Sequence, residues 1–289
     1  MGSTTAIPEG DDWAFEIKWD GYRTVAHVAD GAVRLQSTAG HDVTARWPEF
    51  AELPGSVNAR AAILDSELVV FDDDGRPRFE LTQQSGVGSP REAVLQFFDV
   101  LQVDGVDVID LPYEARRRLL EQLVEPGPNW IVPAHRVGGG AELVAVTADQ
   151  GLEGVVAKRL SSTYRPGTRS KDWRKIKHRT RVELTIGGFT AGTGNRASTF
   201  GSLLVGQLTD AGLRFAGGVG TGFDQRSLES LSARLREIVI DDCPFDPLPP
   251  ASVQRGATWV EPMLRNEIEI AEFTNDGLVR HATFLRLTD

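Results

Sequence analysis

The chain has 289 residues, 40% hydrophobic and 25% charged, with 30 glycines and 15 prolines. That balance excludes a collagen, a long coiled coil and a wholly disordered chain, and the length allows two domains that each bury a core. A single cysteine, Cys243, closes no internal disulfide, no Cys/His cluster is spaced for a structural zinc, and a net charge of −10 opposes a polyanion unless the charge is partitioned.

In chain order, Phe15–Trp19 alternates apolar and charged residues, which predicts a strand burying Phe15, Ile17 and Trp19 with Glu16 and Lys18 side by side on its other face. Asp20-Gly21 turns the chain into a strand over Tyr22–Val28, and further strands are predicted at Val33–Ser37, Ile63–Phe71, Leu95–Leu101, Gly154–Lys158 and Trp173–Lys177. Between them, Pro112 fits the first turn of a helix running to Val124 with Leu119, Leu120 and Leu123 inward, and Ala141–Gln150 reads as a helix closed by Gly151.

After Thr180 the pattern changes to short strands and glycine-rich turns: Val182–Thr190, Ser202–Leu208, Leu213–Val219, Glu267–Phe273 and Val279–Phe284. One helix interrupts them, N-capped by Asp224, with Leu228, Leu231, Leu235 and Ile238 at helical spacing. About five strands with one interposed helix is the element order of an OB-fold barrel, and the boundary falls near residues 179–183.

Charge is unevenly distributed. Lys158–Arg181 holds ten basic residues against one acid, a local +9, which leaves −19 on the remaining 21 basic and 40 acidic residues. Such a run is commonly a solvated face. Here Tyr164 and Trp173 interleave it and Pro166-Gly167 turns it, which favours a phosphate-binding surface carried by Arg165, Arg169, Lys171 and Arg174.

Some attractive patterns fail on context. Gly192-x-Gly194 and Gly218-x-Gly220-x-Gly222 lack the strand, glycine spacing and helix of a dinucleotide site, and no Walker-type loop occurs. The five histidines show no metal-ligand spacing. No apolar run approaches a membrane span, and the opening Met1-Gly2-Ser3-Thr4-Thr5 has neither a basic nor an apolar signal region, so a cytoplasmic protein without membrane association is expected.

The informative element is Glu16-Ile17-Lys18-Trp19-Asp20-Gly21-Tyr22-Arg23. It is followed in order by Asp65-Ser66-Glu67-Leu68, Phe98-Asp99-Val100-Leu101, Glu153-Gly154-Val155-Val156-Ala157-Lys158 and Trp173-Arg174-Lys175-Ile176-Lys177. Together they resemble the covalent nucleotidyltransferases, and most closely the bacterial ATP-dependent DNA ligases of the end-joining type, including the ligase module of ligase D. Gly187-Gly188-Phe189 and the Phe215–Gly222 stretch extend the resemblance over nearly the whole chain.

That resemblance implies an α+β chain: an ATP-grasp-like adenylation (nucleotidyltransferase) domain of antiparallel sheets and helices over residues 1–181, then an OB-fold β-barrel over 182–289. It implies a monomeric DNA ligase that forms a lysyl-AMP intermediate from ATP and seals nicked double-stranded DNA in repair or end joining, with Mg²⁺ or Mn²⁺ and a Ku-type end-binding partner at the nucleoid. Lys18 is the implied nucleophile. A lysine amine titrates near about 10.4, so it must shed a proton before attack, and the cations Lys175 and Lys177 ease that loss while neutralising the α-phosphate. By family resemblance Glu67 and Glu153 bind metal or ribose, Phe98 stacks on adenine, Glu16 contacts the base with Ile17 beside it, Arg23 lies near the ribose and the nick, and Lys158 lies near the nucleotide phosphate.

The sequence also departs from the family. An arginine expected to hold phosphate is Thr38, Asp-Gly-Glu is Asp65-Ser66-Glu67, and a Leu-Gln-x-Arg element ends in Ser85. The C-terminal Arg-x-Asp-Lys is blurred to Arg286-Leu287-Thr288-Asp289. Losing an arginine removes a two-pronged phosphate clamp. Two alternatives stay open at this point: a degenerate ligase kept as a nucleic-acid-binding protein, and an RNA ligase or capping-type nucleotidyltransferase.

Overall fold

The computed structural model describes residues 2–3, 6–168, 170–274 and 276–288, with side chains from residue 6 onward. Arg169 and Asp289 lie outside the described residues. The chain divides into two compact units, Met1–His178 and Arg179–Asp289.

The first unit contains strands β1 (Trp13–Ile17), β2 (Tyr22–Ala29), β3 (Ala32–Ser37) and β4 (Ala61–Val69), helix α1 (Phe79–Gln84), strand β5 (Val94–Val103), helices α2 (Tyr113–Leu123) and α3 (Gly140–Asp149), and strands β6 (Gly154–Arg159) and β7 (Trp173–Lys177). They form two sheets. In one, β7, β6 and β1 are antiparallel neighbours; in the other the order is β3-β2-β4-β5, also antiparallel.

Side-chain alternation gives the first sheet two different faces. Trp13, Phe15, Val155, Ala157 and Ile176 pack together with Leu143 and Val144 of α3 against them. Register pairs Glu16 with Val156 and Lys175, and Ala14 with Lys158 and Trp173, so these occupy the opposite face. The second sheet carries the larger core, in which Leu35, Leu64, Leu68, Leu95 and Phe97 join Leu120 and Leu123 of α2.

Two elements differ from the pattern expected of the sequence. The first strand ends at Ile17, and of its three expected core residues only Phe15 is buried, while Ile17 and Trp19 are half-buried. Helix α2 buries Leu120 and Leu123 as expected, but also Tyr113, Arg116 and Arg117. Arg116 is tolerated there because its guanidinium forks onto the equally buried Asp99, at 2.7 and 3.0 Å, so neither charge is left unpaired.

The second unit contains β8 (Thr180–Ala191), β9 (Phe200–Thr209), β10 (Gly212–Val219), α4 (Gln225–Glu237), β11 (Ala257–Val260), β12 (Arg265–Ile270) and β13 (Thr283–Thr288). The ladder runs β10-β9-β8-β12-β13, with β11 also pairing with β8, and an isolated bridge between Thr221 and Thr283 links its two ends without a continuous closing ladder. This is the OB-type order, with the helix between the third and fourth strands of that ladder in chain order. Asp224 caps α4 as expected, in a capping box: Asp224 Oδ1 accepts from Ser227 N at 2.7 Å and Ser227 Oγ accepts from Asp224 N at 2.9 Å. Leu228, Leu231 and Leu235 of α4 enter the core with Ile186, Val205 and Ile268. The last strand runs over Thr283–Thr288 rather than Val279–Phe284, because Val279–Arg280 instead pairs with Glu272–Phe273 in a separate two-stranded ribbon.

Candidate active site

Two glycines let the chain bring its charged residues together. Gly154 opens β6 at φ +148°, and a Cβ there would stand 2.1 Å from the Ile176 carbonyl oxygen; a Cβ at Gly21 would meet the Leu68 carbonyl at the same 2.1 Å. With Gly154 in place, Lys18 N donates to Gly154 O at 2.9 Å just beyond the end of β1, and Glu153 sits beside Lys18. Lys18 Nζ donates to Glu153 Oε2, and Lys177 Nζ lies 2.7 Å from Glu153 Oε1.

A cleft of about 300 Å³ opens beside this pair, lined by Glu16, Ile17, Lys18, Arg23, Glu67 and Phe98 together with Lys158, Trp173 and Lys175. Eight residues expected at the nucleotide site therefore share one cavity, although they come from β1 and the residue after it, β2, β4, β5, β6 and β7. Glu153 joins it through its ion pair with Lys18, and Lys177 through its own ion pair with Glu153. Thr38, standing where an arginine was expected, also lines the cleft.

Burial sets the electrostatics. It pushes the Glu67 carboxyl up to about 7, with Lys18 and Arg23 opposing the rise. Burial would raise Glu153 too, but Lys18 and Lys177 outweigh it and hold Glu153 below the usual carboxylate range. Lys175 is pushed down, first by burial and then by the neighbouring charge of Lys18. Arg23 is gripped by Asp65, with Nε to Oδ1 at 3.0 Å and Nη2 to Oδ2 at 2.6 Å, and Tyr164 Oη joins both residues at 2.8 and 2.7 Å.

Glu16 and Lys18 both line the cleft but pair with different partners: Lys158 Nζ is 2.7 Å from Glu16 Oε2, whereas Lys18 turns to Glu153. Lys158 is 1% exposed, donates to the Phe98 carbonyl at 3.1 Å, and lies 4.3 Å from the Trp173 ring, 4.7 Å from Phe98 and 4.9 Å from Tyr113. Its ammonium thus keeps company with Glu16 and Phe98. Burial pulls its pKa down, against the opposing pull of Glu16.

The basic run from Lys158 to Arg181 does not make one face. Arg165 is exposed and lines a second cleft of about 240 Å³ with Arg23, Tyr164 and Trp173. Lys171 is exposed. Arg174 points away from Lys175, with its guanidinium 4.6 Å from the Trp13 ring and Arg159 at the same distance from that ring. Strand alternation separates Arg174 from Lys175 and Lys177, Arg179 and Arg181 belong to the second unit, and Arg169 lies outside the described residues.

Sequence reasoning missed Asp65 and Tyr164 as partners of Arg23, although an acid two residues before Glu67 and a tyrosine inside the basic run were visible signals. It also missed Tyr113 and Arg117 behind Glu16, for which no local pattern exists. Two departures are locally satisfied. Ser66 is buried and bonds Thr24 Oγ1 at 2.9 Å and the Thr24 carbonyl at 3.0 Å, and Ser85 accepts from Trp47 Nε1 at 3.0 Å. Arg286 pairs with Glu267 at 2.8 Å.

The ATP dependent DNA ligase domain family matches residues 3–177, and the ATP dependent DNA ligase C terminal region matches residues 196–289. The chain belongs to the ATP-dependent DNA ligase family. It is 41% identical over 283 residues to the multifunctional non-homologous end joining DNA repair protein LigD of Mycobacterium tuberculosis, covering 97% of this chain and 37% of that protein. It is 36% identical to the Pseudomonas aeruginosa multifunctional non-homologous end joining protein LigD, covering 98% of this chain and 34% of the relative. The chain thus spans little more than a third of these relatives' length. Among solved structures, the ligase domain of M. tuberculosis LigD superimposes with a TM-score of 0.60 at 38% identity, covering 100% of this chain and 93% of that one. A mycobacterial DNA ligase D complexed with ATP and MES gives the same TM-score of 0.60 at 37% identity, again with 100% and 93% coverage.

Proposed function

We propose that this chain is the catalytic ligase module of an end-joining system, with Lys18 as its nucleophile. The observation that carries the reading is the convergence of Lys18, Glu67, Arg23, Phe98 and Lys175 on one cleft from separate strands.

Lys18 leaves its ion pair with Glu153, releases a proton to solvent, and attacks the α-phosphorus of ATP as the neutral amine. A P–N bond forms, the bond to the bridging oxygen breaks, and pyrophosphate departs. An oxygen of the 5′-phosphate at a nick then attacks the same phosphorus and displaces Lys18; finally the 3′-hydroxyl attacks the activated 5′-phosphate, sealing the strand and releasing AMP. Lys175 and Lys177 offset the phosphate charge that this sequence crowds together. Phe98 offers a ring face to adenine and Glu16 an acceptor to its amine, with Ile17 alongside.

Among the described residues no group of three or more Asp, Glu, His or Cys gathers to hold a metal. Two carboxylates suit Mg²⁺ or Mn²⁺ that completes its coordination with nucleotide phosphates rather than a resident ion. Glu67 and Glu153 would hold it, and when bound it supplies charge neutralisation at the phosphates.

In this reading the first unit is the adenylation domain and the second, Arg179–Asp289, the OB-fold domain. The chain acts as a monomer on nicked duplex DNA at the nucleoid, with a Ku-type end-binding protein as its partner. Arg165 and Lys171 are its DNA-contacting cations. The test is incubation with α-labelled ATP and Mg²⁺, mass spectrometry for an AMP adduct on Lys18, and sealing assays on singly nicked DNA and RNA duplexes. An adduct on Lys18 and sealing of the DNA nick are expected; no adduct, or one on another residue, overturns the assignment.

A further inference from the structure

Behind Glu16, on the side away from the solvent, α2 presents a set of donors. Tyr113 is fully buried, and its hydroxyl donates to Glu16 Oε1. One turn further along the helix, Arg117 Nη1 lies 3.6 Å from the same oxygen and has no hydrogen-bond partner of its own. Lys158 takes the other oxygen, Oε2, at 2.7 Å. Arg117 is fixed in turn, its Nε donating to Glu121 Oε1 at 2.9 Å and its Nη2 to the Pro133 carbonyl.

We infer that Tyr113 and Arg117 are positioning residues that set nucleobase selectivity, by holding the Glu16 carboxylate in one orientation at the base end of the cleft. A carboxylate has about two acceptor sites per oxygen and no donor. With Tyr113 and the facing Arg117 on Oε1 and Lys158 on Oε2, Oε2 keeps a free acceptor, and donors on opposite oxygens prevent the group from turning. An acceptor pinned at this end favours a base carrying an exocyclic amine and disfavours one carrying a carbonyl oxygen, which would face it lone pair to lone pair. The ligand class is a 6-aminopurine nucleoside triphosphate. Without the Tyr113 hydroxyl the carboxylate has one fewer anchor and can swing, which weakens the preference without removing the nucleophile, the cations or the aromatic face.

This inference rests on the nucleotidyltransferase reading above, and its test separates the two. Labelled adduct formation is measured for wild type, Tyr113→Phe and Arg117→Met with ATP and with inosine triphosphate, which exchanges the amine for a carbonyl oxygen. The quantity compared is the ratio of kcat/KM for the two nucleotides. That ratio is internal to each sample, so any loss of folded protein cancels, and a purely structural role for Tyr113 would leave it unmoved. The expected result is a wild type that prefers ATP, with the preference reduced about tenfold in Tyr113→Phe and in the same direction in Arg117→Met. A wild type that forms the adduct with an ATP preference that both variants retain overturns the inference alone. A wild type that forms no adduct with either nucleotide overturns the functional reading and this inference with it.

Discussion

Asp65 holds Arg23 by a two-pronged ion pair, 3.0 Å from Nε and 2.6 Å from Nη2, with the Asp65 carboxylate wholly buried and the guanidinium about one-third exposed. Arg23 lines both the larger cleft and the neighbouring one that contains Arg165. The pair therefore fixes a cation at the junction of the two cavities. Asp65→Asn removes the charge and one prong while keeping the shape. Adduct formation should fall about tenfold, and stability by about 1–3 kcal/mol in urea denaturation. Unchanged values for both would mean that Arg23 is held by Tyr164 alone.

Lys18→Ala and Lys18→Arg should both abolish the AMP adduct, the second because a guanidinium stays protonated and cannot act as the nucleophile. Intact-mass measurement after incubation with ATP reads the result. An adduct of wild-type abundance in either variant would move the nucleophile elsewhere.

Glu67 carries a pH signature. Its folded pKa is pushed up to about 7, above the unfolded value, so the folded state holds the extra proton between roughly 4.5 and 7. Its contribution to stability is thus fully present below the unfolded pKa and is lost as pH rises to the folded one. Glu67→Gln, which cannot ionise, should be more stable than wild type by about 1–3 kcal/mol at pH 8 and equal to it near pH 4. Denaturation curves at the two pH values, recorded in chelator, test this; a constant difference would place the effect outside Glu67 ionisation.

Charge reversal separates the basic residues. Arg165 is exposed beside Arg23, whereas Arg174 stacks over Trp13 on the opposite face of the sheet from Lys175. Arg165→Glu should weaken nick binding and reduce the slope of log K against log salt by about 0.9 for each phosphate it ceases to neutralise. Arg174→Glu should leave that slope unchanged. Equal salt slopes for the two variants would show that the duplex covers both faces.

In the second unit, Asp224→Ala removes both the acceptor and the charge at the head of α4. A decrease in stability is expected, with Asp224→Ser recovering most of it. Calorimetry of the three proteins decides the matter, and an unchanged unfolding midpoint for Asp224→Ala would show that the capping box adds nothing in solution.

The sequence alone located most of the strands, the α4 cap and eight residues that share one cleft. Alternation, turn residues and ordered motifs act over a few residues, and Glu16, Lys18, Glu67, Phe98, Glu153 and Lys175 stand within such motifs. Tertiary structure decided which charge meets which. That Glu16 pairs with Lys158 and Lys18 with Glu153 depends on the register of β1 against β6, which sets Ala14 opposite Lys158 and brings the Lys18 amide to the Gly154 carbonyl. Tertiary structure also split the basic run, sending Arg174 to Trp13 while Lys175 lines the cleft. The burial of Tyr113, Arg116 and Arg117 was illegible because a helix pattern rich in arginine reads as a wet face. Those side chains go inward because Asp99 and Glu16, distant in sequence, wait there as buried partners, and a charge leaves water only where such a partner has been placed.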